Sequence, residues 1–424
     1  MTKVYIETYG CWLNKAESEI IRGIVREKGG KIVNRIEESD IVILNTCAVR
    51  EETELRMLKR IRELSNFDDK RLIITGCLVN VRPYTILKIV PEASLIEPDG
   101  IGKIGEVIIS GKREIILRKY ERDLSRLPVY EGGVIYVVPI ETGCLGSCSF
   151  CIERVSRGRT VKSYPIDVIV KHVKEAVIKG AKEVFLTGQD LAAYGYDKGI
   201  RLTDLLKVIL EDVNGNYRIR IGMMEPWLVS KLANDLAKIM QDERIFKYLH
   251  LPAQSGDDRI LKLMNRKYKV NEYENLVNFL RNRLGELCIV TDIIVGYPGE
   301  DEVAFKNTLS FVKKVGFDKV HVARFTLRPF TEAYLLPQIP ERLKKQRSRI
   351  LSEHALKVAY EVNKRYVGKR KITIVERQGK DGGFIARTEE YKPVILEEHV
   401  NLGEEVEVVI TRATPVSLVG KSAN

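Results

Sequence analysis

Three thiols crowd into one short stretch, Cys144-Leu-Gly-Ser-Cys148-Ser-Phe-Cys151, directly after an apolar run from Val134 to Ile140. The spacing C-x3-C-x2-C offers three metal ligands, one fewer than a closed four-ligand zinc site, and no fourth Cys or His follows nearby. Iron–sulfur clusters take thiolate ligands, and three thiolates on a four-iron cube leave one iron open. An open iron can bind a small molecule, and S-adenosylmethionine is the cofactor that pairs with iron–sulfur clusters for radical chemistry. A zinc knuckle or plain reduced core thiols are the competing readings, and this spacing disfavours both.

A second set of cysteines is dispersed. Val4-Tyr-Ile-Glu-Thr-Tyr-Gly leads to Cys11, Ile41-Val-Ile-Leu-Asn-Thr to Cys47, and Leu72-Ile-Ile-Thr-Gly to Cys77. Each run of β-branched and apolar residues, bounded by Gly, Asn or Thr, reads as a buried strand. Helical stripes separate them, one on Ala16, Ile20, Ile21 and Ile24, another on Leu55, Leu58, Ile61 and Leu64. Strand–helix alternation predicts a doubly wound parallel sheet, whose ligands gather beyond the carboxyl ends of its strands. All three cysteines then lie along one sheet edge, where converging thiolates suggest a second cluster with an open iron. Free Cys as a small core residue remains the alternative at this point.

Composition narrows the class. The chain has 424 residues, 44% of them hydrophobic, enough for two or three domains with real cores. A net charge of +12 favours a polyanionic partner such as RNA. Seven cysteines with no secretory signal argue against a disulfide framework and for reduced thiols that serve metal. No apolar run reaches membrane-spanning length. The expected location is the cytoplasm.

The elements that position these thiols divide the chain into four stretches. Residues 1–112 form the dispersed-cysteine domain. Residues 113–132, with Arg118, Lys119, Arg122 and Arg126, lack periodicity and read as a linker. Residues 133–362 alternate strand and helix signals six times, with strands near 134–140, 183–187, 217–222, 246–251, 288–296 and 318–326. Such alternation predicts an α/β fold with a partial (β/α)6 barrel, and barrel enzymes work at the carboxyl ends of their strands. The three-cysteine loop follows the first strand. Other strand ends carry groups suited to a nucleoside amino acid: Thr187, Gly188, Gln189 and Asp190, then Arg220, Gln254 and Gly296. Each taken singly is as readily a loop cap or a surface ion pair. Cys288 reads as core packing, and Met223 and Met224 as pocket wall or core. Residues 341–371 carry 11 Lys/Arg against three Glu along a helical stretch, either a solvated face or a set of phosphate contacts. In 363–424, runs from Lys371, Gly383, Lys392 and Val406 alternate with turns, which predicts a small antiparallel β-barrel of a kind that often holds RNA.

These three parts in this order resemble the methylthiotransferase family of radical S-adenosylmethionine enzymes, and the resemblance covers essentially the whole chain. It is carried by Thr8-Tyr-Gly-Cys11-Trp-Leu-Asn14, Leu44-Asn-Thr-Cys47, Thr75-Gly-Cys77, Gly143-Cys144 through Cys151, Arg157-Gly158 and Gln254-Ser-Gly256. Thr142-Gly-Cys-Leu145, Ser163-Tyr-Pro165, Leu186-Thr-Gly-Gln-Asp190 and Arg220-Ile-Gly222-Met are most similar to the archaeal and eukaryotic threonylcarbamoyladenosine branch. Ile152-Glu153-Arg154-Val155 departs from the pattern of the other branches.

The resemblance implies two [4Fe-4S] clusters, a catalytic one on Cys144, Cys148 and Cys151 that works with S-adenosylmethionine, and an auxiliary one on Cys11, Cys47 and Cys77. It implies a TRAM-type barrel for RNA, tRNA as substrate, an unidentified electron donor and no membrane. The activity it implies is addition of a methylthio group at C2 of threonylcarbamoyladenosine beside the anticodon. Competing expectations are the same chemistry on isopentenyladenosine tRNA or a ribosomal-protein aspartate, a one-cluster radical methyltransferase, and a non-catalytic Fe–S protein that binds RNA.

Overall fold

The computed structural model describes residues 1–118, 120–379 and 382–423; Lys119 of the expected linker and residues 380, 381 and 424 of the last domain lie outside it. Strands Lys3–Thr8, Ile41–Thr46 and Arg71–Gly76 are neighbours in a six-stranded sheet, and every pairing in that sheet is parallel. Ile41–Thr46 is buried at every position, as its unbroken apolar run requires of a strand covered on both faces. Helix Trp12–Glu27 packs Ile20, Ile21 and Ile24 on one face of the sheet. Helix Glu51–Leu64 covers the other with Met57, Leu58, Ile61 and Leu64. Leu55, expected in that stripe, is exposed; Met57 takes the inner position because it lies one turn before Ile61.

The sheet runs past residue 112, since Ile115–Ile116 is its sixth strand. Within the stretch expected as a linker, Arg122 is buried and paired with Glu17 at 2.7 Å.

Six parallel strands follow, Ile135–Pro139, Glu183–Thr187, Arg218–Ile221, Tyr248–His250, Cys288–Val295 and Lys319–Arg324. They form two three-stranded ladders, joined where Ile219 bridges Ile245 and Met223 bridges His250. This arc is the partial barrel, with helices outside it and one shared core. The 24-residue helix Glu341–Lys364 packs against the last strand. Two cations from the basic stretch turn inward there: Arg347 pairs with Glu300 at 2.8 Å, and Lys344 is buried over Gly296.

The last domain is a closed barrel in the strand order Arg370–Gln378, Phe384–Thr388, Pro393–Leu396, Leu418–Ser422, Glu405–Ala413. The closing strand Leu418–Ser422 has no counterpart among the four expected runs. It is short and polar at one end, and its Gly420 sits against Val394 and Val408, so alternation is weak. It pairs in parallel with Pro393–Leu396, the only parallel pairing between strands of this barrel among the described residues. No helix among the described residues is long and apolar enough to cross a membrane.

Candidate functional site

The local cysteine loop is held by backbone geometry that only glycine supplies. Gly143 has φ +89, and a Cβ there would lie 2.0 Å from the carbonyl oxygen of Thr160. Its N–H donates to Gln189 Oε1 at 2.8 Å, which ties the loop to the end of the second barrel strand. Gly146 lies between two of the sulfurs: a Cβ would approach Cys144 Sγ to 3.1 Å and Cys148 Sγ to 3.9 Å, and its N–H donates to Cys144 Sγ at 3.2 Å.

A second anchor comes from the turn after helix Asp258–Leu263. Asn265 Nδ2 donates to Ser147 O at 2.9 Å, Ser149 N donates to Met264 O at 3.1 Å, and Arg266 Nη1 donates to Cys148 Sγ at 3.2 Å. Arg266 also pairs with Glu225 at 3.0 Å. Burial pushes the Cys144 thiol up to about 12 and Cys151 well above the ordinary thiol range. Such thiols become ligands only when a metal displaces their protons. Three sulfurs on one loop, with a glycine cradle between two of them, fit a [4Fe-4S] cluster.

Beside this loop the end of the second strand is unusually acidic and dry. Asp190 accepts from the N–H groups of Ala192 and Glu225 at 3.2 and 2.9 Å, while its Oδ2 is buried without a partner. Burial pushes its carboxyl up to about 7. Glu141 Oε1 accepts from Asp190 N at 2.9 Å, and Gly188 leaves the space that carboxylate fills. Asp190, Glu225, Arg266 and Cys148 line one recess, where an unpartnered carboxylate oxygen suits the ammonium of an amino-acid cofactor.

The other expected contacts disperse. Gln254 lies at φ +68 with its side-chain oxygen buried and unpartnered, beside Asp292. Gly296 is closed over by Lys344, and Thr187 is buried in its strand. Arg220 faces a different cavity, described below.

The dispersed cysteines do converge. Cys11 caps helix Trp12–Glu27, Cys47 follows Ile41–Thr46, and Cys77 opens the short helix Cys77–Val81. A Cβ on Gly10 would lie 3.1 Å from Cys47 Cβ, and Gly76, at φ +89, packs on the backbone of Thr46. Burial raises all three thiols, Cys11 to about 11. The Arg157 guanidinium acts the other way on each of them, and it reaches in from the barrel domain, just past Cys151.

Arg157 is buried and pairs with Glu17 at 2.5 Å; Glu17 pairs with Arg122 as well. Burial alone would raise the Glu17 carboxyl, but the two guanidinium groups hold it below its ordinary range. Asn80 Nδ2 donates to Ser156 O at 3.0 Å, and Ile152, next to Cys151, is buried in the core of the first domain with Leu78 and Val79. The departing segment Ile152–Val155 thus serves as the joint between the two cysteine sites. Arg328, buried in the loop past the sixth strand, pairs with Glu54 of the first domain.

Between these sites and the last domain lies a cavity of about 650 Å³. Trp12, adjacent to Cys11, lines it together with Arg220, Tyr248, His250, Cys288 and His321. Cys288 is buried as expected, yet it borders this space. His250 Nε2 and Asp292 Oδ2 are 2.8 Å apart, and ligand atoms of His250, Asp292 and His321 all lie within 4.8 Å of one another. Burial lowers His321 to about 4, so it is a neutral imidazole at physiological pH. Sequence reasoning missed Glu17, Arg266 and His321; His250 and Asp292 lie in the expected strand-end runs, but their pairing was not foreseen.

Three family models match in succession: an uncharacterized protein family (UPF0004) at residues 3–97, the radical SAM superfamily at 138–312 and the TRAM domain at 364–422. The chain is 39% identical over 426 residues to a probable threonylcarbamoyladenosine tRNA methylthiotransferase of Pyrococcus horikoshii, covering 99% of each chain. It is 34% identical to a threonylcarbamoyladenosine tRNA methylthiotransferase of Thermotoga maritima, over 89% of this chain and 87% of the relative. With the Homo sapiens threonylcarbamoyladenosine tRNA methylthiotransferase the identity is 30%, over 96% of this chain and 72% of the relative. Among solved structures, the radical S-adenosylmethionine methyltransferase TsrM of Kitasatospora setae shares the fold with a TM-score of 0.60 at 13% identity, over 79% of this chain and 74% of that one.

Proposed function

We propose, from the premise that the chain belongs to the threonylcarbamoyladenosine tRNA methylthiotransferase family, that it adds a methylthio group to C2 of the adenine of threonylcarbamoyladenosine in tRNA. The observation that carries the reading is the joint between two three-cysteine sites, where Ile152 and Arg157, just beyond Cys151, dock onto the domain of Cys11, Cys47 and Cys77.

Cys144, Cys148 and Cys151 would hold the radical [4Fe-4S] cluster, and Cys11, Cys47 and Cys77 would hold a second one. When bound, these groups and S-adenosylmethionine supply a carbon-centred radical and the sulfur to be transferred. The chain's own work is placement. Arg266 donates to Cys148 Sγ and keeps cationic charge beside a thiolate. Asp190, whose Oδ2 is buried and unpartnered at the recess beside Cys148, would receive the cofactor ammonium, and Gln189 fixes the loop through Gly143. Arg157, buried near Cys77, offsets the negative charge of the three thiolates. The cavity lined by Trp12 and His250 receives the target base. The TRAM barrel and the outward cations of helix Glu341–Lys364 contact the tRNA backbone. An electron donor from outside the chain completes the reaction, and the location that suits these partners is the cytoplasm.

The test is direct. Anaerobically reconstituted protein is incubated with reductant, S-adenosylmethionine and tRNA bearing threonylcarbamoyladenosine, and the digested nucleosides are weighed. A gain of one methylthio group on that nucleoside is the expected result. Deoxyadenosine release without that product would move the substrate to isopentenyladenosine tRNA or a ribosomal protein.

A further inference from the structure

The floor of the large cavity holds a cation in an aromatic box. The guanidinium carbon of Arg220 lies 3.9 Å from the ring centre of Phe185, 4.9 Å from Tyr248 and 4.7 Å from Tyr391, the last contributed by the TRAM barrel. Its Nη2 donates to the Tyr248 hydroxyl at 3.2 Å, but its Nε is buried and unpartnered. Among the described residues neither Arg220 nor Lys319, which lines the same cavity, has a carboxylate within ion-pair distance.

The acids nearby are already engaged. Glu183 accepts from the Tyr391 hydroxyl at 2.7 Å, Glu376 from Arg387, and Asp318 from Lys392 at 2.5 Å. Burial lowers Lys319, the neighbouring Arg387 and Arg220 lower it further, and Asp292 acts the other way without pairing with it, so two cations face one cavity with no ion-pair partner among the described residues. A part-buried positive charge with no counter-ion is stabilised by an anionic ligand, most strongly by a carboxylate that accepts from the guanidinium fork. Trp12 meets Phe185 edge-on at 5.1 Å, so the stack that holds Arg220 leads directly to the neighbour of Cys11.

We propose that Arg220 and Lys319 form the receptor for the carboxylate that ends the threonylcarbamoyl group, and that they select the substrate base by this charge. The inference rests on the functional reading above. The same chemistry could serve a tRNA phosphate or the carboxylate of S-adenosylmethionine, and the test separates these sources.

Holoenzyme and its R220Q and K319Q variants are assayed on two tRNAs, one bearing threonylcarbamoyladenosine and one in which that carboxyl has been coupled to methylamine. The wild type should lose roughly ten- to a hundredfold in kcat/KM on the amide, the range for a charge-assisted hydrogen bond. R220Q and, more weakly, K319Q should lose activity on the acid while the acid-to-amide ratio collapses toward one. Iron content of each variant shows that it has folded, and K319Q, which alters a more accessible side chain than that of Arg220, tests the idea even where R220Q does not fold. Equal losses on both tRNAs, easing at low salt, would assign the pair to phosphate and overturn the inference. A raised KM for S-adenosylmethionine in R220Q would assign it to the cofactor and overturn it too. Wild-type enzyme that modifies acid and amide equally well overturns this inference alone; wild-type enzyme that modifies neither overturns the functional reading with it.

Discussion

The two cysteine sites reach the same donor set by opposite routes. Cys144, Cys148 and Cys151 share one loop, pinned by Gly143 and by the turn at Asn265 and Arg266. Cys11, Cys47 and Cys77 come from three strands that are adjacent only because the sheet is parallel and ordered as it is. A local site needs the right loop; a dispersed site needs the whole sheet. The first should fail most readily to change in its loop and the turn that pins it, and the second to change anywhere in the sheet.

The largest expected effect breaks the two sites apart chemically. Cys148→Ala should abolish both deoxyadenosine release and methylthio product, while Cys77→Ala should spare release and abolish product. Each loss should exceed about a thousandfold, since removing a ligand removes the group that does the chemistry. Unimpaired product from Cys77→Ala would end the assignment of the dispersed site.

Next comes the joint. Arg157→Ala leaves Glu17 with one buried partner instead of two, and should cost about 3–5 kcal/mol of stability by chemical denaturation. It should also lower iron occupancy at the dispersed site more than at the local one, as read by iron per chain in combination with Cys148→Ala.

Gly143→Ala acts locally. Strain at φ +89 and the approach to Thr160 should cost about 1–3 kcal/mol, with roughly half of the bound iron lost and the remainder insensitive to Cys148→Ala. Iron lost equally from both sites would show that they fold as one unit.

The smallest effect is a control at the barrel floor. Burial raises the Glu183 carboxyl to about 7, so the folded protein holds a proton that the unfolded chain has already released. Stability should therefore fall as pH rises from about 5 to 8, by about 1–3 kcal/mol, and Glu183→Gln should flatten that slope without changing either iron content.

The contrast also explains what could be read from sequence. C-x3-C-x2-C is a statement about spacing, so it is visible without any fold. The convergence of Cys11, Cys47 and Cys77 was legible because each ends an apolar run and parallel sheets place such ends together. Glu17 and Arg266 were not legible, because a buried ion in the middle of a helix or a turn looks like any surface charge until its partner is known. Arg122 was misplaced for the same reason: a stretch without periodicity was read as linker, although one of its cations is fully enclosed. The closing strand Leu418–Ser422 escaped because its alternation is short and weak, although it pairs with Glu405–Ala413 directly before it as well as with Pro393–Leu396. Cofactor contacts were the least legible, since a strand end says which rim a residue occupies but not which way it faces. Arg220 and Gly296 sit on the expected rim and turn elsewhere.

The position of Ile152 bears on how freely such proteins can be rearranged. The residue after the last cysteine of the local loop is part of the first domain's core, 1% exposed among Leu78 and Val79. The domain boundary in space thus passes between Cys151 and Ile152, well inside the stretch matched to the radical SAM superfamily. A chimera that joined this barrel to a foreign first domain would leave Ile152 without a socket and the third ligand without its backing. Exchange between relatives therefore has to carry both partners of the joint together, and the TRAM barrel, whose Lys392 is buried against Asp318 and whose Tyr391 packs on Arg220, is bound to the same unit.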